Sequence, residues 1–218
     1  HVYYSYIKQL EWKRIYKMYL KKITENAELN LWISELNKSF KNRSLANIPY
    51  KEVKSKDIVI DNNNIILGIY NDANKLLGGA SLSYCMEYNN VKTAKVGHVW
   101  TMTSYQKQGI GSFLMKKVED IALQNGIELL QLNVANIYLP AVHLYKKSGF
   151  KNLMIYANAP QTYYFIRMIK EIGNYRFPES KRICTLIKSI VIFKILFKKD
   201  SSPTFVNKKV YTRLKDSN

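Results

Sequence analysis

The chain has 218 residues, 47% of them hydrophobic, and a formal net charge of +18. That length can bury one sizeable core; two distant cysteines, Cys85 and Cys184, argue against a disulfide framework and for free thiols in a reducing compartment. There is no membrane-spanning apolar run, and "HVYYSYIKQLEWKR" lacks the pattern of a secretory leader, so a cytoplasmic protein is expected.

In chain order, residues 2–10 read as a first strand. Trp12, Ile15, Tyr16, Tyr19, Leu20 and Ile23 then recur at three- and four-residue spacing, which predicts an amphipathic helix. A second helix is expected over 29–40, carrying Trp32, Leu36 and Phe40, and the polar stretch 41–56 reads as loop. Three strands follow, at 64–72, 76–88 and 93–103; the second alternates Ala80, Leu82, Tyr84 and Met86 with Ser81, Ser83 and Cys85. Their hairpin-like spacing predicts an antiparallel meander. The period then changes. Ile110, Phe113, Leu114, Val118, Ile121 and Ala122 share one helical face, which Gly126 closes. A strand over 128–135, a short helix over 139–149 with Pro140 in its first turn, and strands over 150–157 and 162–169 complete the pattern. The class is α/β (α+β): a mixed, largely antiparallel central sheet flanked by helices.

The stretch "SYQKQGIGSFLMKK" (104–117) places Gly109 and Gly111 where a strand hands over to a helix. A helix start carries unpaired backbone N–H groups and partial positive charge. Glycines there let a phosphate reach the backbone, and Gln106, Lys107 and Gln108 add donors, so the stretch reads as an anion cradle suited to a pyrophosphate. It is not the dinucleotide fingerprint, because Leu114 stands where a third glycine belongs, and no Gly-Lys-Ser/Thr follows to make a Walker loop.

One helix and one strand later comes "LNVANIYLPAVHLYKKSGF" (132–150). Together the two segments resemble the GNAT superfamily of acyl-CoA-dependent N-acetyltransferases. Gln106-x-x-Gly109-x-Gly111 is similar to its nucleotide loop. Val134, Ala141, Leu144-Tyr145 and Gly149-Phe150 are similar to its later segment. The likeness is specific from about residue 91 to 150, and the order of elements extends it to 2–169. The chain departs from the pattern at three places. Tyr138 stands where an Asn usually meets the pantetheine arm, with Asn136 two residues earlier. Thr103 replaces a common Pro, and 95–98 has no carboxylate to act as base.

The resemblance implies acetyl-CoA as co-substrate, in a V-shaped gap where strand 96–103 splays from strand 129–135. The pyrophosphate would lie on the N–H groups of Gln108, Gly109, Ile110, Gly111 and Ser112, with Gln106 and Lys107 beside it. The pantetheine arm would pair with 99–103, including Thr101, Met102 and Thr103, and meet Asn136 and Tyr138. An amine attacks the thioester, a backbone N–H near Thr101 stabilises the oxyanion, and Tyr145 protonates the departing sulfur as general acid. His98 is the candidate base, although strand alternation could turn it to the opposite face. His143, Glu87 and Asp72 are weaker alternatives. With three histidines and two distant cysteines, no metal site is expected.

The expected acetyltransferase domain spans 1–169 and a basic extension 170–218, which holds 12 Lys/Arg against 4 Asp/Glu. Residues 182–199 read as a helix covering the core or an interface, or lying on an anionic membrane. A last edge strand is expected within 203–214. The acceptor, a small molecule or protein amine, would meet loops 26–56 and 158–162, which carry no readable motif. Nucleic acid is not the expected partner, because the lysines are scattered and no arginine-rich run occurs. The rival readings are a non-catalytic acyl-CoA sensor and a membrane- or RNA-associated basic adaptor. A monomer or homodimer is expected.

Overall fold

The computed structural model describes residues 18–42, 52–88, 91–157 and 163–198. The expected strands at 2–10 and within 203–214, and the acceptor loop 158–162, lie outside the described residues. The chain forms two compact units, His1–Leu130 and Gln131–Asn218.

The first unit holds four antiparallel strands in the order β1 (Met18–Ile23), β2 (Asn64–Asn71), β3 (Leu76–Tyr88) and β4 (Val91–Thr101). The expected β2-β3-β4 meander is present. The helix expected through Ile23 is not: residues 18–23 are a strand paired with β2 from Met18↔Asn71 to Ile23↔Ile66. Half-buried Met18 and Leu20 alternate there with exposed Tyr19 and Lys21. Pairing with β2 satisfies the backbone of this short segment, and that outweighs a local spacing that fits a helix equally well.

Helix α1 (Asn26–Lys41) buries Leu29, Trp32, Ile33 and Leu36, the three- and four-residue repeat of one face. Glu28 in its first turn and Lys38 and Lys41 in its last complement the helix dipole. So residues 26–41, within the stretch read as an acceptor loop, are helical. Trp32 is fully buried, and such a side chain contributes on the order of 1.5–3 kcal/mol. It packs with Ile66, Tyr70, Leu76 and Trp100. Its indole N–H donates to Leu67 O at 3.0 Å. Only glycine at 79 permits this approach, since a Cβ there would lie 2.1 Å from Trp32 Nε1.

Helix α2 (Ile110–Gln124) buries Ile110, Leu114, Met115, Val118 and Ala122 and packs on β3 and β4. None of these residues belongs to the α1 cluster. The strand residues that alternate with that cluster, Leu67, Leu82 and Val96, are buried as well, so the strands are covered on both faces.

The second unit takes up β5 (Leu129–Ala135) from Gln131 onward, with strand order β5, β7 (Phe165–Glu171), β6 (Lys151–Tyr156). β6 and β7 pair antiparallel. Arg167 of β7 donates from Nε to Asn133 Oδ1 of β5 at 3.1 Å and lies over the Tyr156 ring. Helix α3 (Leu139–Lys147) connects β5 to β6, with Pro140 in its first turn. Helix α4 (Glu179–Lys198) packs against β6.

Candidate functional site

In the first unit the predicted residues run from the end of β4 to the first turn of α2. The register of β3 and β4 pairs Ser81 with Gly97 and Gly79 with Trp100. Only Ala80 lies between on β3, whereas His98 and Val99 lie between on β4. The extra residue makes a β-bulge, with His98 in the left-handed region at φ 48°. The bulge turns the imidazole to the α1 side. Nδ1 lies 2.9 Å from Ser81 Oγ, and the ring meets Trp32 edge-on. So His98 does not follow the simple alternation of its strand. Its pKa is lowered, first by burial and then by Lys95, with Asp57 pulling the other way. The imidazole is therefore neutral near pH 7, able to accept a proton.

Strand β4 stops at Thr101, two residues earlier than expected. Met102 N–H donates to Leu77 O at 2.8 Å, and Met102 O accepts from Tyr105 N–H at 2.9 Å. Thr103 opens a short 3-10 turn, Thr103–Tyr105, and its carbonyl accepts from Gln106 N–H. The Met102 backbone is thus used within the protein and does not continue the strand edge expected over 99–103. Thr101 is buried, and its carbonyl accepts from Ser39 Oγ at 3.1 Å and from Gln106 Nε2 at 3.3 Å.

The loop then curls into α2. Lys107 and Gly109 both have positive φ, 59° and 83°. Gly109 is the N-cap in the left-handed conformation, which costs a non-glycine residue roughly 1–2 kcal/mol. Gln108 Nε2 donates back to Ser104 O at 3.1 Å. Two of the three expected side-chain donors, Gln106 and Gln108, therefore brace the loop; Lys107 is exposed. The first helical bond of α2 runs from Phe113 N–H to Gly109 O at 3.0 Å. The N–H groups of Ile110, Gly111 and Ser112 precede it and have no intrahelical acceptor. No side chain caps this end, and no acidic residue stands in the first turn. A turn bare of the protein's own anions fits an external pyrophosphate.

In the second unit, Asn136 and Tyr164 exchange two hydrogen bonds. Asn136 N–H donates to Tyr164 O at 2.9 Å, and Tyr164 N–H donates to Asn136 Oδ1 at 3.0 Å. That oxygen is committed, which leaves the amide nitrogen for a pantetheine. Tyr138 caps α3, and Val142 N–H donates to its carbonyl. Tyr145 is 7% exposed and packs edge-on against Phe150 at 6.1 Å. Phe150 N–H also donates to Tyr145 O, so the Leu-Tyr and Gly-Phe pairs of the sequence pattern meet where α3 ends. His143, two residues earlier on the helix, is exposed. Asp72 sits in the exposed β2-β3 turn, and Glu87 is near the end of β3. Sequence reasoning did not find Ser81 as the partner of His98. Only the β3–β4 register brings them together.

A sequence model of the Acetyltransferase (GNAT) family matches residues 29–150, more than half of the 218. The chain belongs to the GNAT acetyltransferase family. Solved GNAT folds agree. The ribosomal-protein-S18-alanine N-acetyltransferase from Escherichia coli is 20% identical, with a TM-score of 0.56 over 73% of this chain and 99% of that one. A GCN5-related N-acetyltransferase from Kribbella flavida gives 14% and 0.58 over 71% and 98%. An N-acetyltransferase from Staphylococcus aureus gives 17% and 0.55 over 71% and 97%. At these identities the likeness concerns the fold. Family membership implies acyl-CoA-dependent N-acetylation, with an acyl-CoA and an acceptor as substrates.

Proposed function

We propose that this GNAT protein transfers the acetyl group of acetyl-CoA to a primary amine by direct attack. The bare first turn of α2 behind left-handed Gly109 carries the reading, because its backbone donors suit a pyrophosphate. Gln108, Gly109, Ile110, Gly111 and Ser112 hold the diphosphate, with Lys107 adding charge. Thr101, Asn136 and Tyr138 serve the pantetheine arm. Bound acetyl-CoA supplies an activated thioester.

An aliphatic amine, ordinarily near pKa 10.4, arrives protonated and must lose a proton before it attacks. His98 takes that proton. When Ser81 Oγ accepts from Nδ1–H, Nε2 keeps its lone pair and is the basic atom. Tyr145 gives its phenolic proton to the departing sulfur, whose conjugate thiol titrates near 8.5, and the phenolate takes up the second proton that the nitrogen sheds as it becomes an amide. One observation favours a second reading, an acyl-CoA-binding protein without turnover. The only titratable side chains of β4 are Lys92, Lys95 and His98, so the strand offers no carboxylate base.

The test is calorimetric titration with acetyl-CoA, then thiol release with pooled amines. Micromolar binding with release that Tyr145→Phe suppresses is the expected result. Binding with no release over a broad amine panel would favour the non-catalytic reading, and no binding would sink both.

A further inference from the structure

Helix α4 has two different sides. One packs within the second unit: buried Ser189 accepts the Ile155 N–H at 3.0 Å, and Arg182 donates to Asn152 O at 2.8 Å. Phe193 meets Tyr164 edge-on. The other side carries Ile183, Ile187 and Val191, which are 44%, 55% and 48% exposed. Four-residue spacing lines them into one stripe along the helix. The other large exposed apolar side chains among the described residues, Tyr19, Leu31, Val59, Leu123 and Leu139, lie one each on β1, α1, the segment before β2, α2 and α3.

Charge indicates what covers the stripe. Lys188 follows Ile187, and Lys194 lies seven residues beyond it, on the same row; both are exposed. The only acid of α4, Glu179, is engaged by Arg182 and Lys151. Residues 199–218 add five Lys or Arg against two Asp. A second copy laid on the stripe would bring like charges together, and so would the chain's own basic end. An apolar stripe edged by lysines matches a layer with an apolar interior and a negative surface. Lysine stems reach along such a layer while their ammonium groups stay at the headgroups. No helix among the described residues is long and apolar enough to cross a membrane, so the fit is to a surface position.

We infer that the Ile183-Ile187-Val191 face of α4 docks on an anionic lipid surface, with Lys188 and Lys194 at the headgroups. This is independent of acyl transfer.

The full chain is sedimented with vesicles of phosphatidylcholine and phosphatidylserine, three to one, and with pure phosphatidylcholine. The parent pellets with the anionic vesicles and only weakly with the neutral ones. Ile187→Glu weakens the binding at least about tenfold, because it puts a charge in the inserted stripe. Lys188→Gln and Lys194→Gln weaken it about fivefold each. Ile187 is exposed, so the melting temperature of its variant stays that of the parent. Val191→Asp gives the same result should Ile187→Glu fold poorly. Unaltered binding by both acidic variants would overturn the proposal, since the net charge alone would then explain adsorption. A parent that stays in the supernatant would also overturn it. So would a parent dimer that Ile187→Glu dissolves without any vesicle binding.

Discussion

Helices α1 and α2 are nearly the same length, 16 and 15 residues, and both bury one apolar face on the strands of the first unit. Their first turns differ. α1 carries Glu28 there, which pairs with Lys21. α2 starts at a left-handed glycine and has no acid there; neither start has a side-chain cap. Since α1 shows how this fold finishes a helix start when only packing is at stake, the bare start of α2 is not a requirement of the fold. α3 also starts without an acid or a side-chain cap, but Pro140 removes one of its backbone donors, so α2 keeps the fuller set for an external anion.

Five substitutions break or sharpen that contrast. Trp32→Ala removes the anchor of α1 and should cost about 3–5 kcal/mol of stability, read by denaturant unfolding, while residual folded protein still binds acetyl-CoA. Tyr145→Phe keeps the ring packed on Phe150, so stability should fall by no more than about 1.5 kcal/mol; acetyl transfer should fall about a thousandfold with coenzyme A affinity intact. An equal loss of affinity would mean that Tyr145 is a packing residue. Gly111→Glu makes α2 begin as α1 does. Helix propensity and the dipole should hold stability level or raise it by up to about 1 kcal/mol, whereas calorimetry should show coenzyme A binding about a hundredfold weaker. Unchanged binding would remove the α2 cradle from the argument.

The smallest effect concerns pH. His98 is held below its ordinary value of 6.5, first by burial and then by Lys95, against the pull of Asp57. Folded protein then binds fewer protons than unfolded chain. Stability is fully present above pH 6.5, begins to fall there, and stops falling below the folded value. His98→Gln should flatten that decline in Tm between about pH 7 and 5. Ser81→Ala should alter the acid limb of kcat/KM without altering coenzyme A binding.

Where one local pattern had one meaning, the structure could be read from the chain. The alternation along β3 and the period of Ile110, Leu114, Val118 and Ala122 gave elements of the expected type. The helix start at Gly109 was legible because two glycines stand where the strand pattern gives way to a helical period; the left-handed φ of Gly109 was not. Residues 18–23 were not, because Tyr19, Leu20 and Ile23 fit a helical spacing until β2 supplies the partner. The inward turn of Gln106 and Gln108 was also hidden, since it depends on the carbonyls that the loop happens to present.

By itself, the sequence determined the class of fold, the helix start at Gly109, and the Leu-Tyr and Gly-Phe pairs around Tyr145. Each depends on spacing within a few residues. Tertiary structure alone decided the bulge at His98, its contact with Ser81, the end of β4 at Thr101 and the exposed stripe of α4. These follow from register and from which face a neighbour covers, and neither is set until distant segments have packed.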